Sequence, residues 1–413
     1  MKLKRLATAM ILVTLPTAGA FAAALDRSGQ SIAPFLQSGN YFEAGLSVLD
    51  PTVSGVEAGT SENRRSIGDM ADDYYFPSAA LKLQPTKNFS FGLIYDQPFG
   101  ASAEYSGENA FVSSASDTIL GKAQLQGIRD SRIDSTVKQM LPGQLAQNLQ
   151  PGVSGVVSQQ AQAMIQAGQV PAGTPQAAVE AGIRANAAAM QQIEAGVTKV
   201  ITDRLTQGVT TQVDAGLKQV NGLLGKGATK VDVDTQNLSF LVGFQPNENL
   251  NFYGGAAYQT IKGNVSLRGQ AYSLYNGYDA SIPEDSAVGW LAGAAFQIPE
   301  IALKASLTYR SEIDHDVNIE ENIPTLPALG LLGQEALAQK IAASSGQTTI
   351  TTPQSVNLDF QTGIMANTVA FANVRWVEWS KFAIQPHKFG LVSKAVGPLV
   401  QRPDGFNLVQ YAD

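Results

Sequence analysis

The sequence predicts an antiparallel all-β transmembrane barrel carrying a helical extracellular insertion, and three observations predict it. From Ile301 to Glu320 apolar and polar residues alternate without a break, about twice the length that a tilted strand needs to cross a bilayer. Apolar residues make up 44% of the chain and charged residues only 15%, as expected where lipid-facing and lumen-facing positions alternate. Between Val112 and Ser239 there is no Phe, Tyr or Trp, so that stretch supplies no aromatic-girdled membrane strand and reads as an insertion.

Residues 1–22 have the form of a secretory signal. Lys2, Lys4 and Arg5 precede the apolar run Leu6 to Leu15, and Ala20-Phe21-Ala22 ends it in a small-x-small cleavage pattern. The mature chain is expected to begin near Ala23, with 23–40 as a short leader and 41–413 as the barrel. No later segment reaches eighteen uninterrupted apolar residues, which argues against an inner-membrane bundle. The absence of cysteine removes both a lipid-attachment thiol and a disulfide framework. A net charge of -7 argues against nucleic acid as a partner.

Strands are predicted over Tyr41 to Val53, Ser78 to Leu83, Phe89 to Tyr95, Asn237 to Phe244, Asn251 to Arg268, Trp290 to Gln297, the run from Ile301, Ser355 to Gly363, and Val369 to Phe382. Gln84-Pro85-Thr86-Lys87-Asn88 and Gln245-Pro246-Asn247-Glu248-Asn249 are short polar turns of the kind found on a periplasmic rim. In the long run, Leu303, Leu307, Tyr309, Ile313, His315 and Val317 fall on the lipid-facing phase, and Lys304, Arg310, Glu312 and Asp314 on the luminal one, read as a structural charge ladder.

Two insertions interrupt the pattern. Within 112–230, Ile193, Val197, Ile201, Leu205, Val209, Val213, Leu217, Val220 and Leu224 recur at helical spacing. This stripe needs a partner, for which the stretch Gln176 to Met190 is the candidate. It forms either a hairpin on the barrel mouth or a coiled coil for a partner protein. Residues 325–345 place Leu326, Leu329, Leu332, Leu337 and Ile341 in an extracellular loop. They form either an exposed ligand-binding groove or a loop helix buried against its neighbours, and both hold if the shared face is open.

The chain offers little chemistry. His315 and His387 are its only histidines, neither stands at metal-ligand spacing, and no triad can be assembled. Asp232-Val233-Asp234 is too sparse for a calcium loop. No enzymatic activity, cofactor or metal is expected. Trp376 and Trp379 resemble interfacial anchors.

Several short motifs taken together resemble the FadL-type outer-membrane transporters of long-chain fatty acids and other hydrophobic compounds. These are Phe42-Glu43-Ala44-Gly45 with Asp50-Pro51, Phe76-Pro77, Asp96-Gln97-Pro98-Phe99-Gly100, Leu307-Thr308-Tyr309-Arg310-Ser311-Glu312, Pro353-Gln354-Ser355, and the run from Val374 to Phe382. The resemblance implies a monomeric fourteen-stranded barrel in outer-membrane lipid, closed by an N-terminal hatch. A hydrophobic small-molecule or fatty-acid ligand is caught in an outer groove, passes to a luminal pocket and leaves sideways at a kinked strand. Pro77 is the candidate for that kink, or else only the first residue of its strand. The resemblance also implies a luminal cation for a carboxylate, with Lys262 and Arg268 as candidates.

The leader is shorter than the usual hatch and lacks its Asn-Pro-Ala, although Phe35 and Leu36 are placed to occupy the lumen. About nine to ten strands are legible, the last a stub over Gly405 to Tyr411, so a truncated product is expected, or else ten strands closing by themselves. The competing functional readings are a surface adhesin or receptor using the helical insertion, and a nonfunctional fragment.

Overall fold

Among the described residues, alternation of apolar with small or polar residues draws eleven strands into one antiparallel sheet, of which Glu320–Asn322 is a short side pairing on Asp279–Ser281 and the other ten form the wall. They are β1 (Tyr41–Leu49), β2 (Tyr74–Leu83), β3 (Phe89–Asp96), β4 (Gly100–Glu104), β5 (Lys230–Phe244), β6 (Leu250–Ser266), β7 (Asp279–Ile298), β8 (Leu303–Arg310), β9 (Ser355–Met365) and β10 (Thr368–Val377). The computed structural model describes residues 25–58, 64–365, 368–400 and 402–410, without the side chains of 331, 332, 399 and 400. The signal segment 1–22 and the cleavage point near Ala23 lie outside the described residues.

Nine strands follow one another along the wall in the order β1-β2-β3-β5-β6-β7-β8-β9-β10, and β4 continues the line of β3 against β5. The sheet curls around the N-terminal segment, because residues from distant strands meet there. Arg375 of β10 binds Asp26 at 2.7 Å, and Asp26 in turn bridges Phe99 beside β3. Phe42, Phe91, Phe240, Trp290, Leu307 and Phe371 face outward and exposed, forming the apolar belt of a membrane-spanning wall.

The strands match the predicted faces and exceed several predicted lengths. β5 begins at Lys230 instead of Asn237, and β7 begins at Asp279 instead of Trp290. The unbroken run over Ile301 to Glu320 is not one strand. β8 ends at Arg310, and Ile313–Val317 forms a separate two-stranded ladder with Thr348–Thr352 that is tucked inside the wall.

Ser311 marks the break: its amide and hydroxyl both bind the backbone of Trp290 at 2.9 Å. Beyond it the faces exchange, so Ile313, His315 and Val317 are buried while Glu312, Asp314 and Asp316 are exposed. Only Lys304 and Arg310 of the expected charge ladder therefore point into the lumen. His315, expected to face lipid, is fully buried between Asp285 at 3.1 Å and Gln259 at 3.2 Å.

The insertion is helical, with α1 (Lys122–Gln166), α2 (Gln176–Ala185) and α3 (Ala187–Asn221). The stripe of α3 packs chiefly along α1, and the short α2 joins them through Val179 and Ile183, so the preceding long helix is the main partner rather than Gln176 to Met190. Near the mouth, α4 (Glu335–Ala342) and α5 (His387–Val396) build a cap. Among the described residues the terminal stub is not a wall strand, since Val409–Gln410 pairs with Ala383–Ile384 under that cap.

Candidate functional site

Beneath the cap lies a partly open cavity of about 130 Å³. Its walls come from β4 to β7 and from the capping segments, with Phe99, Tyr272, Tyr275, Trp379, Phe389 and Phe406 among the aromatic lining. Tyr275 stacks on Phe389 at 4.2 Å, and Phe99 meets Trp379 edge-on at 5.7 Å. Among the described residues no Lys, Arg, Asp or Glu lines it. Burial pushes the phenols of Tyr105, Tyr272 and Tyr275 above their ordinary range, so these side chains also stay neutral.

The cap is fastened by one carboxylate. Glu321 accepts from the hydroxyl of Tyr278 at 2.9 Å and from the amides of Lys388 and Phe389 at 2.7 and 2.8 Å, satisfying orphan donors at the N-terminus of α5. Leu326, Leu329 and Ile341 are buried in this cap, with Leu337 packed against it. They close the mouth from above and do not line the cavity. The side chain of Leu332 lies outside the described residues.

An open groove of about 560 Å³ runs instead between the foot of the helical hairpin and the loop turn, past Val209, Val213, Leu223 and Pro327.

On one side the cavity abuts a slit in the wall. β2 pairs with β3 only from Ala79 opposite Tyr95 downward. Higher up, ladder contact resumes where the amide of Asp72 binds Ser102 at 3.2 Å and that of Glu104 binds Met70 at 2.9 Å. Between these levels no ladder bond joins the two sides among the described residues. The cause is Gln97-Pro98-Phe99, which interrupts the line from β3 to β4 and is pinned where the amide of Phe99 binds the hydroxyl of Thr235 at 2.9 Å. Pro77 lies on the opposite rim, inside β2 and in unbroken register with Leu46 of β1. Pro77 is thus not the first residue of its strand, and it stands on the rim of the unpaired stretch facing Gln97-Pro98-Phe99.

The N-terminal segment fills the slit from within. Arg27 donates its amide to Pro98 at 2.8 Å, binds Asp234 at 2.8 Å and lies 4.2 Å over the ring of Tyr74. Gly100 makes room for it, since a Cβ there would stand 2.3 Å from the guanidinium. Ser28 binds Asp96 at 2.9 Å, Asn357 donates to Gly29 at 2.8 Å, and Arg310 donates to Gln30 at 3.2 Å. Farther down, Phe35 sits in a notch left by Gly92 and Gly243, against Tyr253 at 5.9 Å. Phe35 therefore occupies the lumen as expected, as part of the hatch rather than of the cavity lining.

The two predicted cations stand next to the cavity without facing it. Ile261 and Leu267 line it, whereas Lys262 is exposed on the outward phase of β6. The guanidinium of Arg268 binds Asp279 at 2.6 Å and the carbonyls of Lys226, Leu267 and Tyr278, a structural clasp. Trp376 is outward on β10, while Trp379, read as a second anchor, is buried in the cavity wall. The contributions of Leu25, Phe389, Phe406 and Leu408 were not legible from strand periodicity, because Phe389 lies on the short helix α5 and the others lie outside the wall strands, all of them brought to the cavity by tertiary folding.

The family model described as "Outer membrane protein transport protein (OMPP1/FadL/TodX)" matches residues 156–389. No curated protein matches the sequence. Among solved structures, a FadL homologue of Pseudomonas aeruginosa is similar at 11% identity and a TM-score of 0.40, over 84% of this chain and 62% of that one. The chain thus spans less than two thirds of that protein's length. The toluene transporter TbuX of Ralstonia pickettii is similar at 8% identity and a TM-score of 0.38, over 89% of this chain and 74% of that one. For the toluene transporter TodX of Pseudomonas putida the values are 9% identity and 0.39, over 90% and 74%.

Proposed function

Because the chain belongs to the outer membrane transport protein family typified by FadL and TodX, we propose that it is a passive uptake channel for small, uncharged hydrophobic molecules, which leave sideways through the wall. Members of this family carry hydrophobic compounds across the outer membrane without performing chemistry on them. The observation that carries the finer reading is the cavity lined, among the described residues, by uncharged side chains. An apolar cavity of about 150 Å³ takes up benzene, so about 130 Å³ suits a single ring or a short chain.

A fatty-acid carboxylate is a poorer guest, because shedding its water with no cation in reach costs several kcal/mol. Capture begins in the groove by Val213 and Pro327, where apolar surface is offered at the outer end. Exit uses the slit between β2 and β3, once Leu25 to Ser28 moves away. Apolar partitioning supplies the driving force along this route, and no energy source is needed.

Uptake of labelled toluene and of labelled oleate, by a transporter-deficient host displaying the full-length protein, tests the proposal. Faster toluene entry with little change for oleate is expected. Unchanged toluene entry at verified surface expression overturns the proposal.

A further inference from the structure

A second, much smaller pocket of about 10 Å³ adjoins the cavity and shares Phe99, Thr352 and Pro353 with it as walls. Its other walls are of the opposite kind. Gln30, Asn237, Gln259 and Arg310 line it, and each is less than one-tenth exposed. Gln30, from the N-terminal segment, stands there in a left-handed backbone conformation with φ 51°, which a residue with a side chain holds only against strain.

One hydroxyl brings Asn237 and Arg310 together. Ser239 Oγ accepts from the Asn237 amide at 3.1 Å and from Arg310 Nη1 at 3.3 Å. The Asn237 amide also donates to Asp96 at 2.8 Å, and the charge of that carboxylate offsets the guanidinium. Arg310 Nη2 donates to the carbonyl of Gln30 at 3.2 Å, while Gln259 already accepts from Thr352 at 2.8 Å.

Two atoms of this network are left over. Arg310 Nε and Asn237 Oδ1 are both buried, and neither has a hydrogen-bond partner among the described residues. The first can only donate and the second can only accept. A buried polar atom left unpaired is strongly unfavourable, so the pair defines what fits: a single oxygen that carries a hydrogen. A carboxylate, an ether or a ketone has no proton to offer Asn237 Oδ1. A volume of about 10 Å³ is room for about one water-sized group. A water molecule and the hydroxyl of a cargo molecule both meet these demands.

We propose that this pocket is a hydroxyl subsite of the cavity, and that the preferred cargo is a small neutral molecule with one hydroxyl, a phenol or a short alcohol. Its apolar body lies in the cavity, and its oxygen donates to Asn237 Oδ1 and accepts from Arg310 Nε. The inference rests on the reading of the cavity as the cargo site and narrows the class of guest. A hydroxyl that enters the subsite replaces a water bond for bond, so little is lost in the exchange. In a cavity without the subsite the preference would run the other way, because a hydroxyl that sheds its water and finds no partner lowers affinity by about tenfold or more.

Displacement of a fluorescent apolar probe from the full-length protein in zwitterionic micelles tests this at neutral pH with phenol, anisole and toluene, their free concentrations corrected for uptake by the micelles. The three share one ring. Phenol donates and accepts, anisole only accepts, and toluene does neither. Phenol is expected to bind at least about tenfold more tightly than anisole and no more weakly than toluene, the scale of hydrogen bonds made to buried groups. In Asn237→Leu the preference for phenol over anisole should shrink to less than about twofold.

Should that variant fail to show the heat-modifiable gel mobility of a folded barrel, the three ligands compared on the parent protein decide alone. Phenol no tighter than anisole, or about tenfold weaker than toluene, overturns the subsite, and with toluene still displacing the probe the reading of the cavity survives. An undiminished preference for phenol in a folded Asn237→Leu also overturns the subsite. Displacement by none of the three overturns the cavity as cargo site and the subsite with it.

Discussion

The upper and lower parts of the lumen are built from opposite materials. Above, the cavity under the cap is lined by aromatic and aliphatic side chains and carries no charge. Below, Arg310, Arg375, Lys82 and Lys304 converge on the N-terminal segment, and all four grip it through carbonyls or polar side chains. An apolar molecule resting in the first region finds no comparable home in the second. The proposed sideways exit falls at the boundary between them, where Pro98 breaks the line from β3 to β4 and, among the described residues, Leu25 to Ser28 stands in the way. Moving down would mean crossing buried charges, whereas moving out leads to lipid.

Locking the boundary should have the largest effect. Asp26 and Phe99 already face each other as an isolated bridge, and the chain has 0 cysteines, so Asp26→Cys with Phe99→Cys should form a single disulfide. Uptake by the oxidised protein should fall by about tenfold or more and return on reduction, the scale expected when a required opening is lost. Equal uptake in both redox states would remove the slit from the route.

Making the upper region resemble the lower comes next. Ile261→Lys places an ammonium in the uncharged lining, where an unpaired charge costs several kcal/mol. Toluene uptake should drop by about tenfold as the guest loses its apolar wall. A smaller effect is expected from Gly243→Ala, whose new Cβ stands 3.0 Å from the ring of Phe35. Overpacking of this kind costs about 1–3 kcal/mol. Proteolysis near Phe35 should therefore quicken while wall stability, read by the heat-modified gel shift, stays close to that of the parent.

The smallest changes are expected at the lysine just outside the boundary and from pH. Lys262→Ala should alter uptake by less than about twofold, because surface substitutions away from a site are near neutral. Phenols pushed above their ordinary range stay protonated up to and beyond about pH 10. Cavity affinity for a neutral ring should accordingly be flat between about pH 6 and 9, measured by displacement of a fluorescent apolar probe. A titration within that window would mean that a charged group reaches the cavity.

Much of the wall was legible in the sequence because its physics is local. Leu238, Phe240, Val242 and Phe244 alternate with Asn237, Ser239 and Leu241, and the pleat alone sends one set to lipid. The motif around Pro98 was visible too, but its consequence was not. That the line of the wall breaks at Pro98 depends on which neighbour each strand loses, and pairing is not written in one strand. The cavity was the least legible part. Its lining mixes β6 positions with Leu25, Trp379, Phe389 and Phe406 from short helical turns and loops outside the wall, which no strand periodicity marks.

Lys262 was one position from the lining residue Ile261, and in a strand one position is the other side, while Arg268 falls past the end of β6 and is taken up by Asp279. The exchange of faces after Ser311 has the same character. The amino acids alternate faithfully through Glu320, yet two residues that leave the ladder invert everything that follows.

That inversion also puts a schedule on assembly. The Ile313–Val317 ladder with its Thr348–Thr352 partner lies inside the wall, with Ile313 against Gly289 and His315 bonded to Asp285 and Gln259. A sheet that curled shut first would leave this hairpin stranded outside, with an imidazole and two acids among lipid tails. The hairpin must be tucked while the strands on either side are still apart, so the rate at which β6, β7 and β8 find one another is bounded by a short piece of chain that never touches the membrane.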